Sequence, residues 1–303
     1  MKKIYLALLF LCVFACSAEA ASFNVGTSTI NYTVPPGYVL LDDSRYAPVV
    51  NEILHEQQSE EYWGVAILVP QELLARLDKS GEPADIYAST YIVVGYMPVL
   101  KDVAVTQADF DKEKIPMRKD VPASIRQKIE ESNLALQAAG EFFWLDVRSI
   151  EVCEETDASL SLLMVSDIKT RDTPPRILGA TSVMLSPILT QDRMIMIVQN
   201  IPLPDGSNAD VLKDEALQRI RDMAFPLPSA EASDSGSRPS AVDAVNSVMG
   251  KAVWISLATT VVAIFFALAL YFLRSKSRKK AKQDTASQPN TSSNQENKNP
   301  FED

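Results

Sequence analysis

Hydrophobic positions along this chain fall into three textures. The first is the compact apolar run bounded by turn residues. Trp63 to Val69 reads WGVAILV, and Ile86 to Val94 is rich in β-branched and aromatic residues. Both predict strands, the first of them buried. A turn at Pro35-Pro36-Gly37 leads into a shorter strand. Further on, Phe142 to Cys153, Ser159 to Ile168, Ile177 to Leu185 and Met194 to Gln199 succeed one another across polar or proline-bearing turns. That spacing predicts an antiparallel meander.

The second texture is helical. Tyr46 to Gln57 is a modest candidate, and Gln71 to Leu77 places Leu73, Leu74 and Leu77 on one side. Thr106 and Asp109 form a capping-box pair, each side chain placed to satisfy a free amide at a helix start. Pro116 is expected to end or bend that helix, because proline removes a backbone donor. Pro122 then opens a longer helix with Ile125, Ile129 and Leu136 along one face and Gly140 as terminator. Ser207 and Asp210 cap a last helix carrying Leu212, Ala216, Ile220 and Met223. These elements predict one α+β domain over residues 21–225, a mostly antiparallel sheet packed with helices. No internal repeat is present.

The third texture is uninterrupted. Ala252 to Leu273 contains no charge. At the α-helical rise it spans roughly 33 Å, enough for a bilayer core of about 30 Å. Trp254 and Tyr271 stand near its ends, where amphipathic rings prefer the membrane interface. Arg274, Lys276, Arg278, Lys279, Lys280 and Lys282 follow at once, against Lys251 and Arg238 on the other side. The basic end stays inside, so the predicted topology is a single-pass inner (plasma) membrane protein with its domain outside and its tail in the cytoplasm. Residues 251–273 are the expected transmembrane helix.

The N-terminus agrees. Lys2 and Lys3 precede an apolar core from Ile4 to about Ala15, followed by Ala18-Glu19-Ala20, the order of a secretory signal over residues 1–20 with cleavage after Ala20. Val13-Phe14-Ala15-Cys16 resembles a degraded lipoprotein signal, with Phe14 out of place. From Phe225 onward FPLPSAEASDSGSRPS reads as a flexible stalk, assigned to residues 226–250. Residues 274–303 are a basic stretch and then a polar tail that cannot bury a core.

Charge and cysteine use narrow the classes. The chain carries a net charge of −10, and the external part alone roughly −15. An acidic exterior argues against nucleic acid and against anionic lipid surfaces. Of the three cysteines only Cys153 lies in the external part, so no internal disulfide can form there. Cys153 reads as a buried strand residue, a free thiol or an intermolecular bridge, burial being favoured.

Chemical signatures are scarce. No dinucleotide or P-loop glycine pattern occurs among the ten glycines, and no nucleophile elbow. The single histidine, His55, is followed by Glu56, but Ser59 stands where a metalloprotease helix needs its second histidine. Ser166 and Lys169 match a Ser-x-x-Lys spacing, yet on a strand positions three apart point to opposite faces. Carboxylates cluster at Asp42-Asp43, at Asp109, Asp111 and Glu113, and at Glu154, Glu155 and Asp157, where they read as solvated helix starts and turns. Asn299-Pro300-Phe301 and Asn31-Tyr32-Thr33 match three-residue endocytic and glycosylation motifs, which coincidence explains. Neither a cofactor nor a metal is implied.

The expectation is a non-catalytic, membrane-anchored envelope protein whose external domain binds another envelope protein. The alternative is an envelope hydrolase using a carboxylate pair without a motif. Ala252, Ser256, Thr260, Ala263 and Ala267 form a stripe of small residues along the span, a surface suited to weak homodimerisation.

Overall fold

The computed structural model describes residues 19–56, 58, 62–191, 193–203 and 209–226. Nine strands and five α-helices are described: β1 (Ala20–Val25), β2 (Ser28–Thr33), β3 (Tyr38–Leu40), α1 (Ala47–Glu56), β4 (Trp63–Pro70), α2 (Leu74–Ser80), α3 (Pro83–Tyr87), β5 (Tyr91–Tyr96), α4 (Gln107–Ala138), β6 (Phe143–Glu155), β7 (Leu160–Thr170), β8 (Ile177–Thr190), β9 (Arg193–Leu203) and α5 (Ala209–Asp222). Strands β3 to β9 form one sheet in the order β3-β4-β5-β9-β8-β7-β6, and every neighbouring pair is antiparallel. The fold is α+β, a mostly antiparallel sheet packed against helices.

Both faces of the central strands are covered, which is why β4, β5, β7, β8 and β9 are buried almost without alternation, whereas β6 at the sheet edge is mostly part-exposed. On one face Ile67, Val69, Val93, Leu162, Met164, Met196 and Val198 meet Val49 and Ile53 of α1, Leu77 of α2, Ile86 of α3, and Phe110, Met117, Val121, Ile125 and Ile129 of α4. The intervening residues Leu68, Ile92, Val94, Leu163, Val165, Ile195 and Ile197 face the other way. They pack against Val25, Ile30 and Tyr32 of the β1–β2 hairpin and Ala216, Leu217 and Ile220 of α5. The hairpin was not anticipated from the sequence. Its turn depends on Gly26, whose φ of 57° an L-residue adopts only with strain.

Two elements differ from expectation. Ile86 lies not in a strand but in α3, and β5 begins only at Tyr91. Pro83 at the first helical position and Asp85 in the first turn are favourable start signals. The short helix drops Ile86 fully into the core.

The second difference is larger. Gln107–Ala138 is one helix that retains both Pro116 and Pro122 in its interior. Each proline in a helix interior costs about 3 kcal/mol. Phe110, Lys114, Met117, Val121, Ile125 and Ile129 nevertheless form an unbroken buried stripe across both, and tertiary packing decides against local propensity. The carbonyls left without donors belong to Lys112 and Arg118, at exposed positions where water can serve them. The predicted boundaries hold at both ends, with the Thr106–Asp109 capping box formed and Gly140 at φ 78° just beyond.

The meander runs further than predicted, through two strand prolines. Pro187 lies past Leu185, where the β7–β8 pairing ends, and Pro202 lies past Asn200, where the β5–β9 pairing ends. The continuous ladder runs on one side only at each, a position a missing donor can occupy; beyond Pro187 the other side has the isolated Ser159–Ile188 bridge and the Leu189 N–H donating to the Ala158 carbonyl.

Candidate functional site

The residues singled out in the membrane segment lie outside the described residues. These are Trp254, Tyr271, Arg274, Lys276, Arg278, Lys279 and Lys280 at the interface, and Ala252, Ser256, Thr260, Ala263 and Ala267 along the stripe. Among the described residues no helix is long and apolar enough to cross a membrane, and no group of three or more His, Cys, Asp or Glu side chains is placed to hold a metal.

The candidate chemistry read from the sequence is dispersed by the fold. His55 is exposed on α1. Ser166 is fully buried with Met164 and Ile168 on the face covered by α4, whereas Lys169 shares the opposite face with Val165. Asp43 accepts from the Arg45 backbone N–H at 2.9 Å and from Nε at 2.8 Å; the backbone donor first, and the guanidinium after it, hold its carboxyl below the usual range. Asp109, expected in solvent, is buried in the helix cap. Glu154 accepts from Arg221 Nη2 at 2.5 Å, and Glu155 pairs with Arg118. Cys153 is half-buried, its sulfur 3.8 Å from the Glu151 carbonyl oxygen.

What the fold does bring together was invisible as a motif. In the β6–β7 register Asp146 stands directly opposite Asp167, and Trp144 directly opposite Lys169; across β7, Lys169 is in turn opposite Ile177. Asp167 and Lys169 share the face of Leu163 and Val165, beside the region covered by α5. Two like charges opposed across strands repel. Here each is met by a cation: Arg148 Nη2 donates to Asp167, and Lys169 Nζ donates to Asp146 while lying 4.0 Å from Asp167. Lys169 also stands over the Trp144 ring at 5.8 Å from its centroid, within the range of a cation–π attraction.

The result is a platform at the outer corner of the sheet. Its base is a closed ionic network in which Asp167 is buried. Its outer elements are the half-exposed guanidinium of Arg148, the half-buried indole of Trp144 and Ile177, which is 61% exposed. Such an arrangement supplies an apolar contact, an aromatic face and a guanidinium with remaining donors. These are the residue types that anchor protein surfaces to one another. It supplies no unengaged acid/base pair.

No protein-family model matches the chain, and no curated protein matches it either. Among solved structures the chain is similar to the cyanobacterial PsbP (CyanoP) of Synechocystis at 8% identity, over 71% of this chain and 95% of that one, with a TM-score of 0.33. It is also similar to the Ran-binding protein Mog1p of Saccharomyces cerevisiae at 12% identity, over 71% of this chain and 98% of that one, with a TM-score of 0.31. Likenesses at these scores carry no argument about what this chain does.

Proposed function

We propose that this chain is a single-pass inner-membrane protein whose extracytoplasmic domain binds another envelope protein and catalyses no reaction. The topology rests on the charge asymmetry around Ala252 to Leu273 and on the N-terminal signal. The binding reading rests on one observation: the Trp144–Lys169–Ile177 row, held on an ionic base and edged by Arg148, exposes a large apolar side chain beside an aromatic and a guanidinium. The reading is favoured over a hydrolase because the opposed carboxylates, Asp146 and Asp167, are each held by a cation.

Protease added outside sealed spheroplasts should destroy the domain and leave the basic tail; a protected domain refutes the topology. Cross-linking in intact cells, followed by gentle solubilisation, should capture a discrete envelope partner. Ile177→Asp and Trp144→Ala should abolish that capture while the melting temperature stays within a few degrees of the parent. Undiminished capture by both variants refutes the platform as the contact.

A further inference from the structure

The chain leaves the folded domain at one end of the sheet and presents its most exposed apolar side chains at the other. Pro226 is the last described residue, and its carbonyl accepts the Gln191 N–H at 3.3 Å, beside the β8–β9 turn. Strand β8 runs 14 residues from Ile177 to Thr190, so at about 3.3 Å per residue its two ends lie roughly 40 Å apart. At the Ile177 end the last turns of α4, the start of β6 and the β7–β8 turn meet. Arg171 joins them. Its backbone N–H donates to the Phe142 carbonyl at 2.8 Å, its Nε to the Glu141 carbonyl at 3.1 Å and its Nη2 to the Asn133 carbonyl at 2.8 Å. Leu134, Ile177 and Phe142 stand at this end, exposed by 66%, 61% and 56%, more than any other large apolar side chain among the described residues.

Apolar side chains grouped in this way, with an indole and a guanidinium beside them, mark interaction surfaces. The topology proposed above sets what can reach this one. Between Pro226 and the expected span lie about 24 residues, and a flexible segment of that length averages roughly 25–30 Å end to end. Bringing Leu134 and Phe142 onto the bilayer would hold Pro226 about 40 Å above it, beyond that average reach. Copies side by side in one membrane would present their flanks to one another and not these ends. The far end is open to what approaches through the extracytoplasmic space. Arg148 gives one donor to Asp167, and the rest of its guanidinium fits a carboxylate.

We propose that the partner of this domain is a soluble extracytoplasmic protein that docks on its membrane-distal end, setting apolar side chains on Leu134, Phe142 and Ile177 and a carboxylate on Arg148. This rests on the anchored topology above and narrows the envelope partner to one outside the bilayer.

Two experiments on the full-length chain test it. In nanodiscs with acceptor-labelled lipid, a donor dye on Gln191→Cys should transfer energy to the lipid more strongly than one on Leu134→Cys, both in a Cys153→Ser background. Equal or reversed transfer overturns the distal placement. A chain that does not insert refutes the topology, and the docking with it. In cells, a photo-reactive amino acid in place of Phe142 should cross-link a protein that, without irradiation, fractionates with the soluble extracytoplasmic contents. The same substitution at Ile115 should not; Ile115 is 55% exposed at the other end of the sheet, where Lys114 meets the β6–β7 turn. No adduct, a lipid adduct, an integral membrane protein or a second copy of this chain at Phe142 overturns the proposal and leaves the topology standing. Once purified, the captured protein should lose about tenfold in affinity for the reconstituted chain on Leu134→Asp or Phe142→Asp, and none on Ile115→Asp. Loss with all three variants, or with none, refutes docking at this end.

Discussion

Asn133, on the last turns of α4, uses its side-chain amide as a strand would use its backbone. Its Nδ2 donates to the Leu145 carbonyl at 2.7 Å, and its Oδ1 accepts the Leu145 N–H at 2.9 Å. Leu145 lies in β6, the outermost strand of the sheet, with β7 on its other side. At the far end of β6 the same helix is fastened again. Lys114 Nζ donates to the carbonyls of Thr156 at 2.7 Å and Asp157 at 2.9 Å, and Arg118 pairs with Glu155. Helix α4 therefore runs antiparallel to β6 and is tied to it at both ends. Exposed strand edges recruit other strands, and covering them is how soluble domains avoid that.

Asn133→Ala removes both bonds to β6 at once. The variant should lose about 1–3 kcal/mol of stability, the cost of leaving paired groups unsatisfied. It should also self-associate on mild heating, as the freed edge finds partners. Urea unfolding with light scattering checks both effects; a variant as stable and as monodisperse as the parent would show that the clasp is incidental.

Lys114 is 4% exposed and joins Asp111 to the two turn carbonyls. Lys114→Met should loosen the β6–β7 turn first, seen as faster amide exchange at residues 156–159 with smaller changes in β8 and β9. Uniform acceleration across the sheet would mean that the tie is global and not local.

The same ion pair predicts a pH dependence. The hydrogen bond from Lys114, with a smaller one from Gln107, holds the Asp111 carboxyl below its usual range. A group whose pKa is lowered on folding stabilises the folded state above the unfolded carboxylate pKa of about 3.9, and loses that contribution as pH falls through its folded value. Asp111→Asn should melt below the parent at pH 7, and the gap should close as pH drops below about 4. A gap unchanged from pH 7 to pH 3 would assign the effect to packing.

Gly95 sits in β5 against the buried ring of Tyr62. A Cβ there would lie 2.5 Å from the Trp63 carbonyl oxygen and 2.7 Å from ring atoms of Tyr62. Backbone and a fully enclosed aromatic leave nothing to yield. Gly95→Ala should destabilise the domain by roughly 1–3 kcal/mol, the usual cost of overpacking, measured by urea unfolding. A neutral result would show that β4 and β5 slide apart at no expense.

Phe225 is the point at which the domain hands over to the segment expected as a stalk. Its ring stacks on Tyr32 with centroids 5.6 Å apart, and Tyr32 is buried enough that its hydroxyl pKa is pushed up to about 12. Phe225→Ser should therefore expose the hairpin, and protease should cut within residues 20–33 before the rest of the domain. Cleavage at the same rate as in the parent would place Phe225 outside the fold.

Local chemistry was legible in the sequence wherever one element's own residues carry it. The Thr106–Asp109 cap, the Gly140 stop, the Pro-Gly entry to β3 and the apolar run of β4 were all read correctly, because capping, φ > 0 and hydrophobic spacing are properties of a few consecutive residues. Tertiary structure decided what depends on distant partners. Pro116 and Pro122 look like breaks until a sheet lies under the whole stripe from Phe110 to Ile129 and outweighs them. Asp146 and Asp167 are two carboxylates among many until the β6–β7 register sets them face to face with Arg148 and Lys169 beside them. Asn133 is an ordinary helix residue until Leu145 arrives at its amide. Register is set by burying both faces of the central strands at once. That sum over the whole sheet is written in no single window of the chain.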